Sequence, residues 1–235
     1  MLLQKSSFLS VIVRLHFLLL SALPLTGWAQ ETGNPVLRVP VRVHLMTGLE
    51  FTERGKNINT WMTPENFTTA VLPEINRIWK PAQIHWKVES VVLEAVGKGP
   101  GLPPTLQRIA KRETIEIATL RQLFPETGRH PEFINLYLVP SIGSANGVAG
   151  RAVKTAVVGI WRNKGPDDLQ PAPLVMSRPP LASVAKTCAH ELGHILGLVH
   201  PDERSIERLM HPGPGTALTP EEITTARERA AELAK

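Results

Sequence analysis

Residues 190–200 read HELGHILGLVH, and this segment constrains the fold more than any other stretch of the chain. His190 and His194 are four residues apart, so they share a face only if the backbone between them is helical. Gly197 follows within one further turn. It tolerates the left-handed conformation that ends a helix, so the chain can turn back and bring His200 to the same point. The fold must therefore bury an otherwise apolar helix while leaving open space beside one of its faces.

Three neutral imidazoles meeting at one point suit a single zinc ion and leave a fourth coordination position open, which separates a catalytic zinc from a closed structural one. Glu191 lies beside the ligand face, where a carboxylate can act as general base toward a water molecule. A distant carboxylate, Glu221 or Glu222, is the competing third ligand, but Glu222 stands where a helix cap is needed. In the bland alternative both helix histidines are hydrogen-bonded core residues and Gly197 is a routine cap.

Upstream, Val39, Val41, Val43 and Leu45 alternate with Pro40, Arg42, His44 and Met46, the period of a strand with one buried face. Thr63 and Pro64 give an N-cap and a first-turn proline. Phe67, Val71, Ile75, Ile78 and Trp79 then predict a helix to Lys80, kinked at Pro73. Residues 84–93 are rich in β-formers, so strand, helix and strand suggest a parallel pair joined by a crossover.

Residues 98–104 read as a loop, and Leu106, Ile109, Ile117, Leu120 and Leu123 as a second helix ending near Pro125. Residues 133–139 and 156–161 are expected strands, with 148–152 a short edge strand between them. A Pro/Gly-rich loop over 165–180 precedes a helix over 181–196. Thr219, Pro220 and Glu222 open a last helix reaching Leu233 through a capping box. The order predicts a mixed α/β (α+β) domain: a mixed twisted sheet, a helix carrying the histidines, and a short C-terminal subdomain ending in a helix.

The first residues differ from the rest. Lys5 and Arg14 precede an apolar run from Phe17 to Leu25, and Gly27 and Ala29 are small, so residues 1–29 read as a secretory signal peptide. An uncleaved anchor is the alternative, but Arg14 and His16 leave the run far short of the roughly 20 residues a span needs. Residues 30–235 are then one domain, secreted or periplasmic, with no stable membrane insertion after cleavage. The net charge of +5 comes without an Arg/Lys run or interleaved aromatics, so no nucleic-acid partner is expected. Cys188, the single cysteine, can form no intramolecular bridge.

The segment HELGHILGLVH resembles the extended zinc motif of the metzincin metallopeptidases, and Leu209, Met210, His211 and Pro212 resemble their Met-turn. Gly193 and the LM-x-P form of the turn are nearest to matrixins. The resemblance implies a zincin-like domain acting on protein or peptide substrates as an endopeptidase, with Met210 beneath the metal and not bound to it. It also implies that an edge strand containing Gly147, Val148, Ala149 and Gly150 pairs with the substrate.

Three departures qualify it. Matrixins carry tyrosine where this chain has His211, a side chain able to line the cleft or join the metal. No cysteine precedes the domain to hold it latent, and Cys188, on another helical face than His190, is expected to be a small buried residue. With only Asp167, Asp168 and Asp202, a structural calcium site is not supported. A zinc-containing binding module without turnover is the alternative from another class, against which Glu191 argues. A narrow processing enzyme with one partner is a third.

Overall fold

The computed structural model describes residues 34–53, 56–96, 102–160, 184–202 and 204–234. The expected leader, Trp161, the loop over 165–180 and the first three residues of the expected 181–196 helix lie outside them. Among the described residues, no helix is long and apolar enough to cross a membrane.

The chain forms strands β1 (Leu37–Thr47), β2 (Phe51–Glu53) and β3 (Lys56–Ile58), helices α1 (Pro64–Asn66) and α2 (Leu72–Trp79), and strand β4 (Ile84–Ala95). Helices α3 (Leu102–Ala110) and α4 (Ile117–Leu120) follow, then strands β5 (Ile134–Val139), β6 (Gly147–Gly150) and β7 (Thr155–Gly159). Helices α5 (Val184–Ile195) and α6 (Pro220–Leu233) complete it. Five strands build one mixed sheet in the order β4-β1-β5-β7-β6, all parallel except β6, which runs antiparallel to β7 at the edge. The fold is mixed α/β.

Alternation along β1 holds, but both faces are covered. Val39, Val41, Val43 and Leu45 join a cluster with α2, α5 and α6, while Met46 joins Tyr137, Val157, Leu120 and Phe124 on the other side. A one-sided strand was the expectation. Helices against both faces, as parallel sheets require, bury His44 and Met46 as well.

The kink expected at Pro73 takes a definite form. Residues Phe67–Val71 are π-helical, with Leu72 N–H reaching back to Phe67 O, and Pro73 falls in the first turn of α2. Proline has no N–H to donate, and the wider turn before it absorbs the irregularity.

The single helix expected up to Pro125 is instead two pieces, and the expected loop over 98–104 gives way to helix from Leu102. Arg112 takes a left-handed φ of 59° and closes α3. Its N–H donates to Ile109 O and that of Glu113 to Arg108 O, a Schellman turn made without glycine and so without a signal in the sequence. The β2–β3 hairpin was not foreseen either, because three-residue strands are too short to show a period. The edge strand ends at Gly150 and not at 152, where a 3-10 turn over Arg151–Val153 takes over.

Candidate metal centre and cleft

Helix α5 packs on α2 and on the last two strands of the sheet, β7 and β6. Nearly every side chain along it is buried; His194 is the partly exposed one. This burial gives the histidines a rigid base.

The helix ends as the glycine predicts. Gly197 has φ +91°, its N–H donates to His194 O, and Leu198 N–H donates to Gly193 O. These two bonds make a Schellman turn, which reverses the chain so that His200 faces the helix it has just left. His200 Nε2 lies 3.1 Å from both His190 Nε2 and His194 Nε2. Ligands about 2.0–2.1 Å from a tetrahedral zinc would be roughly 3.3 Å apart, so the three nitrogens are spaced to share one ion.

The tautomers suit the same task. His190 Nδ1 lies 2.9 Å from Leu209 O, and His194 Nδ1 2.9 Å from Leu198 O. A ring that donates from Nδ1 to a carbonyl presents the lone pair of Nε2, so each helix histidine points a ligand atom at the common centre. Burial, with the nearby Lys186 charge adding to it, lowers His190 to about 3; burial lowers His194 as well. Both rings stay neutral at ordinary pH. Among the described residues, this triad is the group of histidine, cysteine or carboxylate side chains whose ligand atoms converge.

Glu191 is 4% exposed, and its Oε2 has no hydrogen-bond partner among the described residues. Burial raises its carboxyl to about 8, against a smaller opposing pull from Lys186. The carboxylate lies against Gly147 of the edge strand, where an added Cβ would fall 2.3 Å from Oε1. Gly147, Val148 and Ala149 line the same cleft of about 550 Å3 as His190, Glu191 and His194. Gly150 ends β6 beyond these lining residues.

Met210 is fully buried, and its Sδ sits where a Cβ on Gly193 would be, at 2.5 Å. The absent side chain at Gly193 is what lets the turn come up under the helix. The turn is fixed from both sides. Leu209 N–H donates to Ala217 O at 2.7 Å, and Arg208 pairs at 2.5 Å with Glu222, whose other oxygen accepts from Thr219 N–H. Glu222 is thus a cap and an anchor for the Met-turn, and neither it nor Glu221 belongs to the converging group.

His211 is not in that group either; its Nδ1 accepts from Gly213 N–H at 2.8 Å, which folds the ring back on its own turn. Cys188 is fully buried and burial pushes its thiol upward, so it behaves as a core residue. Lys186 was missed by the sequence reading. It is 4% exposed and donates from Nζ to His211 O at 2.7 Å, fastening the Met-turn to α5. Burial lowers it to about 8, with the Glu191 charge opposing. The signal was present: a lysine on an apolar helix, one turn before His190.

No protein-family model matches the chain, and no curated protein matches it. Among solved structures, archaemetzincin from Archaeoglobus fulgidus complexed with malonate is 16% identical, covering 79% of this chain and 99% of its own, with a TM-score of 0.44. A zinc-dependent peptidase from Methanocorpusculum labreanum is 15% identical over 83% of this chain and 100% of its own, at 0.37. Metalloproteinase-II from Bacteroides fragilis is 13% identical over 83% of this chain and 54% of its own, at 0.45. At such identities and TM-scores, what the site does is decided by its own residues.

Proposed function

We propose that this chain is a zinc-dependent endopeptidase of the metzincin kind, with His190, His194 and His200 as ligands of one zinc ion and Glu191 as general base. The observation that carries it is the convergence of three Nε2 atoms, two of them with their tautomer set by a backbone carbonyl. Zinc held there would lower the pKa of a bound water to about 7 and polarise a scissile carbonyl.

Glu191 supplies the proton handling. Its buried Oε2, unpartnered among the described residues, accepts a proton from the attacking water and returns it to the leaving amine. A neighbouring dication favours the ionised carboxylate, offsetting the burial that raises it. Strand β6, at the sheet edge and against Glu191, offers its outer backbone groups to an extended peptide, which would set the scissile bond beside the base. The narrower matrixin likeness rests on Gly193, packed over Met210, and on the turn through Pro212. Secretion or periplasmic export belongs to the same reading through residues 1–29.

The test is an N-terminomic cleavage profile of the zinc-loaded wild type against Glu191→Ala. The wild type is expected to generate new protein N-termini. The variant should keep its zinc and lose turnover by about 10²–10⁴-fold, whereas His194→Ala should lose both. Equal cleavage by Glu191→Ala would overturn the mechanism, and a zinc-loaded wild type without any cleavage would leave a zinc-holding binding module.

A further inference from the structure

A second cavity, of about 340 Å3, shares no lining residue with the cleft. Arg121, Arg129, His130 and Lys154 line it, with Asn135 at the start of β5 forming its inner wall. We propose that it binds a phosphate-type oxyanion, as the free ion or as a phosphomonoester.

The first argument is hydrogen bonding. Arg121 Nε, Arg129 Nε and His130 Nδ1 are buried and have no partner among the described residues. Leaving a buried polar group unsatisfied costs about 1–3 kcal/mol, so these three side chains that line the cavity are not fully satisfied by the chain's own acceptors. Asn135 cannot supply them, because its Oδ1 already accepts from His130 N–H and its Nδ2 donates to His130 O and Phe133 O.

The second is charge. Two guanidiniums and an ammonium meet here. The carboxylate paired with Arg129 is Glu126, 3.8 Å away and 93% exposed, and a pair so exposed and so long neutralises little. Glu94, the other carboxylate near these arginines, is bonded to His44 at 2.8 Å, but burial favours the neutral form of that ring, so the bond does not cancel the Glu94 charge and two of the three cationic charges are left to an incoming anion. A multiply charged anion matches this balance better than a single carboxylate. Its tetrahedral oxygens also suit donors approaching from several sides, two of them guanidinium forks.

The third is backbone. Lys154 holds a left-handed φ of 46° at the end of the Arg151–Val153 turn. The backbone is held there by Lys154 N–H donating to Arg151 O and by Asn135 N–H donating to Lys154 O, which fixes where the side chain starts. From there the side chain sends Nζ to the cavity rim, 3.5 Å from Pro131 O.

The experiment is a calorimetric titration of the full zinc-loaded chain with inorganic phosphate, phenyl phosphate and acetate at matched ionic strength. One saturable phosphate site is expected, not competed by acetate and weakened by about tenfold or more in Arg129→Gln and in Lys154→Gln. Arg151→Gln, in the cleft, should leave it unchanged. Tighter binding of phenyl phosphate than of phosphate assigns the pocket to phosphomonoesters, and the reverse order to the free ion. Should Arg129→Gln misfold by circular dichroism, Lys154→Gln on the surface turn carries the test alone. Phosphate binding that survives Lys154→Gln, or that disappears in Arg151→Gln, overturns the proposal.

Discussion

Glu191 is a residue at which the proposed activity and the stability of the fold pull apart. In the zinc-free protein its folded pKa is raised from 4.5 to about 8 by burial, so the folded state holds a proton that the unfolded chain has released. The sign follows: this contribution to stability is complete below about 4.5, declines as pH rises, and is gone above about 8. Glu191→Gln removes the titration and should make the zinc-free protein more stable than wild type above that pH, by on the order of a few kcal/mol. Thermal melts of both proteins from pH 5 to 9 with chelator present check it, and parallel pH profiles would reject it. Gly147 tests the same carboxylate from outside. A Cβ there would lie 2.3 Å from Oε1 and 2.6 Å from Cγ and Cδ, so Gly147→Ala must displace the Glu191 carboxylate proposed as the base. Zinc content should stay at wild-type level while cleavage falls by about 10²-fold, as expected when a catalytic group moves by about an ångström.

Between residue and fold, the element that decides the site is the turn after α5. Gly197→Ala forces a Cβ into a left-handed backbone and should cost about 1 kcal/mol of stability. Because the same turn delivers His200, zinc affinity measured against a chelating indicator should weaken too, whereas a similar destabilisation placed in α6 should leave it unchanged. This turn was legible in the sequence because glycine at that place has a single physical use. The helix caps were legible for the same reason: Thr219 accepts from Glu222 N–H in a capping box and Thr63 accepts from Asn66 N–H as an N-cap, as their positions imply. Legibility failed where an ordinary residue takes an unusual conformation. Arg112 closes α3 at φ 59° with no glycine to announce it, and Lys154 does likewise at φ 46° after the edge strand. Lys186 escaped notice because a lysine on a helix ordinarily reaches solvent, and only the fold shows it bound to His211 O.

For the molecule as a whole, the question is whether the metal holds the fold together or only completes it. Helix α5 is anchored by Val184, Cys188, Ala189, Leu192 and Ile195 in the cluster that includes Val158 and Leu138 of the sheet, and none of these is a ligand. The segment beyond it has less of its own. Val199 is 75% exposed and Ile206 51% exposed, and the Met-turn is held chiefly by Leu209, Met210 and the polar contacts of Lys186 and Arg208. Zinc held by the triad would join these two regions, since His190 and His194 lie on the anchored helix and His200 on the weaker segment. Removing it should therefore loosen the segment without unfolding the sheet. A ligand present at about 100 times its dissociation constant contributes roughly 2.7 kcal/mol. For a domain near 200 residues this lowers the melting temperature by about 5–10 °C on chelation. The far-ultraviolet circular dichroism at room temperature should barely change, and hydrogen exchange should quicken over residues 198–217 while β1, β5 and β7 keep their protection. A small zinc domain unfolds outright when its metal is withdrawn, because the metal stands in for a core. Exchange quickening throughout the sheet would place this chain in that category and show that the apolar clusters on both faces of the sheet cannot hold it alone.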